Sequence, residues 1–184
     1  MNHLRTRYKA DWYDKKIEQN KVIQNDLIGI INQHKEPNFP WSEDMLRYLE
    51  NENLLEIAIA TVNKSISIVA GDGMDFSNRT DAKLSIVRYH SGGTSYAAGI
   101  KCKYKEFILA YVYEPIQKKS YYFAFPKNYN EHTIPFDRNT GAPKRNNYMW
   151  NHECTTFEIM ANYDAKLGLV EQNPKNTFDL MFSL

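Results

Sequence analysis

The chain has 184 residues, 42% of them hydrophobic, with 23 Lys and Arg against 22 Asp and Glu for a formal net charge of +1. That length suits one domain with a sizeable core, and the near-neutral balance argues against a constitutive polyanion-coating role of the histone or ribosomal kind. No run of 18 or more apolar residues could span a bilayer, and the opening MNHLRTRYKADWYDKK lacks the apolar stretch of a signal peptide, so a soluble, cytoplasmic protein is expected.

Residues 8–34 place Trp12, Ile17, Val22, Ile23, Leu27, Ile28 and Ile31 near helical spacing, which predicts one long amphipathic helix ended by the prolines of EPNFP. Ser42 is a good N-cap for a second helical stretch, WSEDMLRYLENENLLEIAIATVNK, with a break around Asn51–Asn53. After Lys64 the pattern turns to strands: SISIVAG, DAKLSIVRY, SYAAGIKCK, EFILAYVYE and SYYFAFP, the last two joined through PIQKK as a hairpin. The polar segment NYNEHTIPFDRNTGAPKRNN is expected to be loop. HECTTFEIMANYDAK then predicts a short helix with Phe157, Met160 and Ala161 inward. Phe178, Leu180, Met181 and Phe182 suit a tail that docks on the body or on another subunit. Cys102 and Cys154, far apart and without a CxxC partner, read as reduced thiols in or near the core. The order implies an α+β fold: N-terminal helices (1–63), a mostly antiparallel or mixed central sheet (64–126), and a loop and C-terminal helix (127–184) within a single domain.

The chemistry concentrates in GDGMDFSNRTDAKLSIVRY, residues 71–89. Side chains alternate faces along a strand, so Asp81 and Lys83 point the same way. A tight turn through Ser77, Asn78 and Arg79 would return Asp75 towards Asp81. Two converging carboxylates suit Mg²⁺, a hard cation that keeps waters and accepts phosphate oxygens. A bland arrangement uses the same residues: Asp72 and Asp75 satisfying a turn, and Asp81 paired with Lys83 or Arg79 on a solvated face.

An acid, a short spacer and DAK at the start of a strand resemble the PD-(D/E)XK nuclease superfamily, which includes many type II restriction endonucleases. The resemblance implies a restriction-endonuclease-like core and Mg²⁺-dependent hydrolysis of double-stranded DNA by a homodimer. Asp75 then matches the first acid, with Asp72 competing for that place, Asp81 the second and Lys83 the lysine that orients or activates the attacking water. Glu56 in LLEIAIA stands where part of the superfamily carries a further acid. Burial near a metal would depress the pKa of Lys83. The chain departs from the pattern in three ways: no proline precedes Asp75, the spacing to Asp81 is short, and strands rather than a helix and a parallel strand follow DAK.

Two further stretches carry candidate functions. His132, Pro135, Gly141 and Asn146, with His152 beyond, have the order of an HNH nuclease, against the simpler reading of loop histidines. Arg138, Lys144, Arg145, Asn146 and Asn147 would suit phosphates or base edges. Lys101, Lys103 and Lys105 fall on one strand face, which fits a phosphate track or a strand edge protected by charge. A non-enzymatic binding protein would instead use the aromatic hairpin YVYEPIQKKSYYFAF as its contact surface.

Overall fold

A computed structural model describes residues 2–69, 75–101, 107–126 and 131–163. The first helix, α1 (Asn2–His34), ends just before the proline-containing connection, as its sequence predicts. Its buried stripe is Ile23, Leu27, Ile28 and Ile31, spaced three and four apart. Ile17 and Val22 stay exposed, so the apolar face covers only the C-terminal part of the pattern. Ser42 caps α2 (Glu43–Arg47): its Oγ accepts from the Met45 N–H at 3.2 Å. The break before α3 (Asn51–Val62) falls at Tyr48–Glu50, slightly ahead of its expected place. Asn51 donates its side-chain amide to the Asn20 carbonyl at 2.9 Å, tying α3 to α1, and Leu54, Leu55 and Ala58 close the seam.

Among the described residues seven strands follow: β1 (Thr80–Ile86), β2 (Arg88–His90), β3 (Ser95–Lys101), β4 (Phe107–Glu114), β5 (Lys119–Phe125), β6 (Glu131–Phe136) and β7 (Glu153–Cys154). They form a four-stranded sheet in the order β1-β4-β5-β7 and a three-stranded sheet in the order β2-β3-β6. The first sheet is mixed, since β1 runs parallel to β4 while β4, β5 and β7 are antiparallel. The fold is therefore α+β, with α4 (Phe157–Ala161) following the last strand.

Two cores lie on opposite faces of the four-stranded sheet. Leu109, Tyr111, Tyr113 and Ala124 pack on the helices with Leu27, Ile31, Leu55 and Ala58. On the other face Ile108, Ala110, Val112, Phe123 and Phe125 meet Ala98, Ile100, Ile134, Phe136 and Trp150. Strand β4 is covered on both sides, which explains the unbroken apolar run FILAYVY. The hairpin aromatics Tyr111, Tyr113, Tyr121, Phe123 and Phe125 are buried, so they build the core and do not form the contact surface that a binding-protein reading requires.

Several elements differ from the sequence reading. DAKLSIVRY is two strands: Val87 separates β1 from β2, donates its N–H to the Tyr113 carbonyl at 2.9 Å, and marks where the chain passes between sheets. Among the described residues of SISIVAG, Ile68 alone takes part in β-pairing, as an isolated bridge to Phe76, while Ala70 and Gly71 lie outside them. The supposed loop after Pro126 holds β6, whose pairing with β3 places His132 opposite Ile100. The expected helix around 152–166 is confined, among the described residues, to Phe157–Ala161 after a 3-10 turn at Tyr148–His152. Cys154 is a free, buried thiol whose pKa burial pushes up to about 12, as a core cysteine should be. Cys102 and the apolar tail 178–182 lie outside the described residues. No helix among the described residues is long and apolar enough to cross a membrane.

Candidate active site

The candidate site is built at the edge of β1, which among the described residues has β4 on one side and no strand of its sheet on the other. Ala82, Leu84 and Ile86 turn towards the helical core, so the alternate residues Asp81, Lys83 and Ser85 turn away from it. A tight turn precedes the strand. Arg79, in the left-handed region at φ 66°, donates to the Phe76 carbonyl at 3.0 Å, and Asn78 Oδ1 accepts from the Thr80 hydroxyl at 2.6 Å. Buried Phe76 anchors the bend from below. The chain thus doubles back, and the Asp75 N–H donates to the Thr80 carbonyl at 3.0 Å.

That return places the Asp75 carboxylate on the open edge of the strand. Its Oδ2 accepts from the Ala82 N–H at 2.7 Å, supplying the partner that an edge amide would otherwise lack. Asp81 is next to it and only 7% exposed. Lys83 Nζ reaches Asp81 Oδ2 at 3.0 Å. The carboxyl groups of Asp75 and Asp81 stand close enough to share a proton, and Glu56 from α3 completes a chain of three acids through Asp75. The sequence-predicted set Glu56, Asp75, Asp81 and Lys83 therefore converges, while Asp72 lies outside the described residues. The contacts of the structural alternative, a backbone amide on Asp75 and the Asp81–Lys83 pair, are both present, with Asp81 buried and not solvated.

The electrostatics follow from this crowding. Burial, then the hydrogen bond and charge of Asp81, push the Asp75 carboxyl up to about 7, against the opposing Ala82 N–H. Burial and the charge of Asp81 likewise raise Glu56, with Asp75 partly offsetting them. For Lys83 burial pulls downward, but the hydrogen bond and charge of Asp81, with Asp75 and Glu52, outweigh it and leave the ammonium above the ordinary lysine value. With no cation at the site, its carboxylate neighbours keep it charged. Glu52, one helical turn before Glu56 on α3, was missed in the sequence; its i, i+4 spacing was the available signal.

Converging carboxylates that raise one another's pKa call for a proton or a cation between them. The donor set is all oxygen, with an amine beside it, and fits Mg²⁺ held by Asp75 and Asp81. Among the described residues no group of three or more His, Cys, Asp or Glu forms a metal cage. A Mg²⁺ site needs only one or two protein carboxylates, with water and phosphate filling the remaining positions.

Of the predicted DNA-contact residues, Lys101 and Arg138 lie at opposite ends of β3. The Ser85 hydroxyl donates to the Gly99 carbonyl at 3.0 Å, and Arg88 pairs with Ala97, so exposed Lys101 lies towards the Asp81 end of β1. Arg138 sits at the other end, donating to the Gly93 carbonyl at 3.1 Å. Arg145 is engaged in the fold: it grips Glu153 with two bonds of 3.1 and 3.0 Å and lies over the Trp150 ring. Lys144 and Asn146 are exposed, and Lys103 and Lys105 lie outside the described residues. Gly141, at φ 73°, packs on the fully buried Glu114 carboxylate. Comparison of the chain with known protein families, with curated proteins and with solved structures finds no match.

Proposed function

We propose that the protein is a Mg²⁺-dependent endodeoxyribonuclease whose site is Asp75, Asp81, Lys83 and Glu56. One observation carries this reading: two half-buried to buried carboxyl groups and a lysine meet at one strand edge.

Each side chain has a task that its position supports. Asp75 and Asp81 supply oxygens for the cation, and the Ala82 N–H fixes the first of them. Lys83, held as an ammonium by Asp81, presents positive charge where a phosphodiester would gather negative charge, and orients a water by donating to it. Glu56 accepts from waters on the helix side. A bound Mg²⁺ would supply a coordinated water of lowered pKa and neutralise charge on the phosphate. A two-fold dimer would let so small a chain address both strands of a duplex, and a dimer mass by sedimentation is the expected result.

The test uses supercoiled plasmid. Cleavage is expected with Mg²⁺ and not with EDTA, and Asp81→Ala and Lys83→Ala should each lower it by more than about 100-fold with an unchanged circular dichroism spectrum. Either variant cutting at the wild-type rate would remove the assignment.

A further inference from the structure

Beyond Lys83 the strand enters an open groove of about 1250 Å³ between α1, the β1–β2 junction and the β4–β5 turn. Pockets for one small molecule are about 300–1,000 Å³, so this one has room for a stretch of polymer. Its wall includes Leu84 and Ser85, the two residues after Lys83, and Glu52, one turn from Glu56. The groove thus begins one residue along β1 from Lys83 and one helical turn from Glu56, beside the carboxylate site whose own side chains do not line it.

Its lining favours an anion. Lys15, Lys16, Arg88 and Lys118 stand against Glu18 and Glu52. Lys15, Arg88 and Lys118 are exposed and form no ion pair among the described residues. Tyr89 lines the same groove, 55% exposed, yet fixed at both ends. Its hydroxyl donates to the Arg138 carbonyl at 3.0 Å, and its ring lies 4.8 Å from that of Tyr96. An aromatic ring held rigid in a groove with unpaired cations is the pattern of a stacking platform on a phosphate track.

We propose that this groove binds a single strand of nucleic acid, with phosphates on Lys15, Arg88 and Lys118 and a base stacked on Tyr89. In a duplex the faces of the bases are already covered by their neighbours, so such a ring can be used only by unpaired nucleotides. The inference deepens the nuclease reading, resting on it for the cleavage step alone: the preferred substrate would carry a single-stranded segment leading to Asp75 and Asp81.

Binding is measured by fluorescence anisotropy in EDTA, which silences cleavage, with labelled single-stranded DNA, single-stranded RNA and blunt duplex DNA. Single strands of at least one sugar type should bind about 10-fold or more tighter than duplex, and Tyr89→Ala should weaken that binding by about 5- to 100-fold. Tyr89→Phe, which keeps the ring, should restore it. Arg88→Ala and Lys118→Ala should each reduce the slope of log affinity against log salt by about 0.7. Duplex binding as tight as single strands, or a folded Tyr89→Ala that binds like wild type, would overturn the proposal. If plasmid is still cut in that case, the groove inference falls alone; if single strands bind but nothing is cut, the nuclease reading falls alone.

Discussion

At the scale of single residues, Asp75 carries the most consequential chemistry. Its carboxyl has a pKa of about 7 in the fold against an ordinary 3.8, because burial and Asp81 disfavour its charge. A carboxyl raised in this way stabilises the fold below its unfolded pKa, and that contribution is lost as pH climbs through the folded value. Metal-free protein should therefore lose stability between about pH 4 and pH 7, and Asp75→Asn should flatten the decline. At pH 8 the variant should be more stable than wild type by about 1–2 kcal/mol after allowance for solvent screening, with the gap closing at pH 4. Thermal denaturation across that range checks the sign. Gly141 makes the opposite case: a Cβ there would lie 2.6 Å from the Glu114 carboxylate oxygens, at a φ that disfavours side chains. Gly141→Ala should lower stability by about 2–4 kcal/mol, measured by urea denaturation, because Glu114 cannot move without abandoning its bonds to Tyr96, Ile116 and Gln117.

At the scale of elements, the docking of α1 on the sheet runs through one buried hydroxyl. Tyr111 donates to Asp26 of α1 at 2.5 Å and accepts from Ser120 of β5 at 2.7 Å. Tyr111→Phe should cost about 1–2 kcal/mol in chemical denaturation, as the Ser120 hydroxyl loses its partner. Elements were legible where local pattern decides them. The periodicity of α1, the Ser42 cap, the alternation of β3 and the apolar runs of β4 and β5 all marked their strands or helices. They were not legible where distant partners decide. EHTIPF reads as loop because it holds a proline and polar neighbours, yet β3 supplies the pairing that makes it β6. The parallel match of β1 with β4, Asp81 opposite Ile108, depends on chain segments separated by β2 and β3 and leaves no local trace.

At the scale of the whole molecule, the carboxylate site depends on three segments meeting: α3 brings Glu56, the 75–79 turn brings Asp75, and β1 brings Asp81 and Lys83. Face alternation made the Asp81–Lys83 pair readable in the sequence, and the resemblance to a nuclease motif singled out Asp75 and Glu56. The groove was not readable, because Lys15 and Arg88 line it from segments more than seventy residues apart in the chain. Arg145, by contrast, looked like a DNA contact from its basic neighbours, but Glu153 and Trp150 claim it in the folded chain. The central claim is that Asp75 and Asp81 together hold a divalent cation. Isothermal titration of metal-free protein with Mg²⁺ at pH 8 tests it most directly: saturable binding to wild type that disappears in Asp81→Ala is the predicted result, and equal binding by the two proteins, or no binding by wild type, would contradict it.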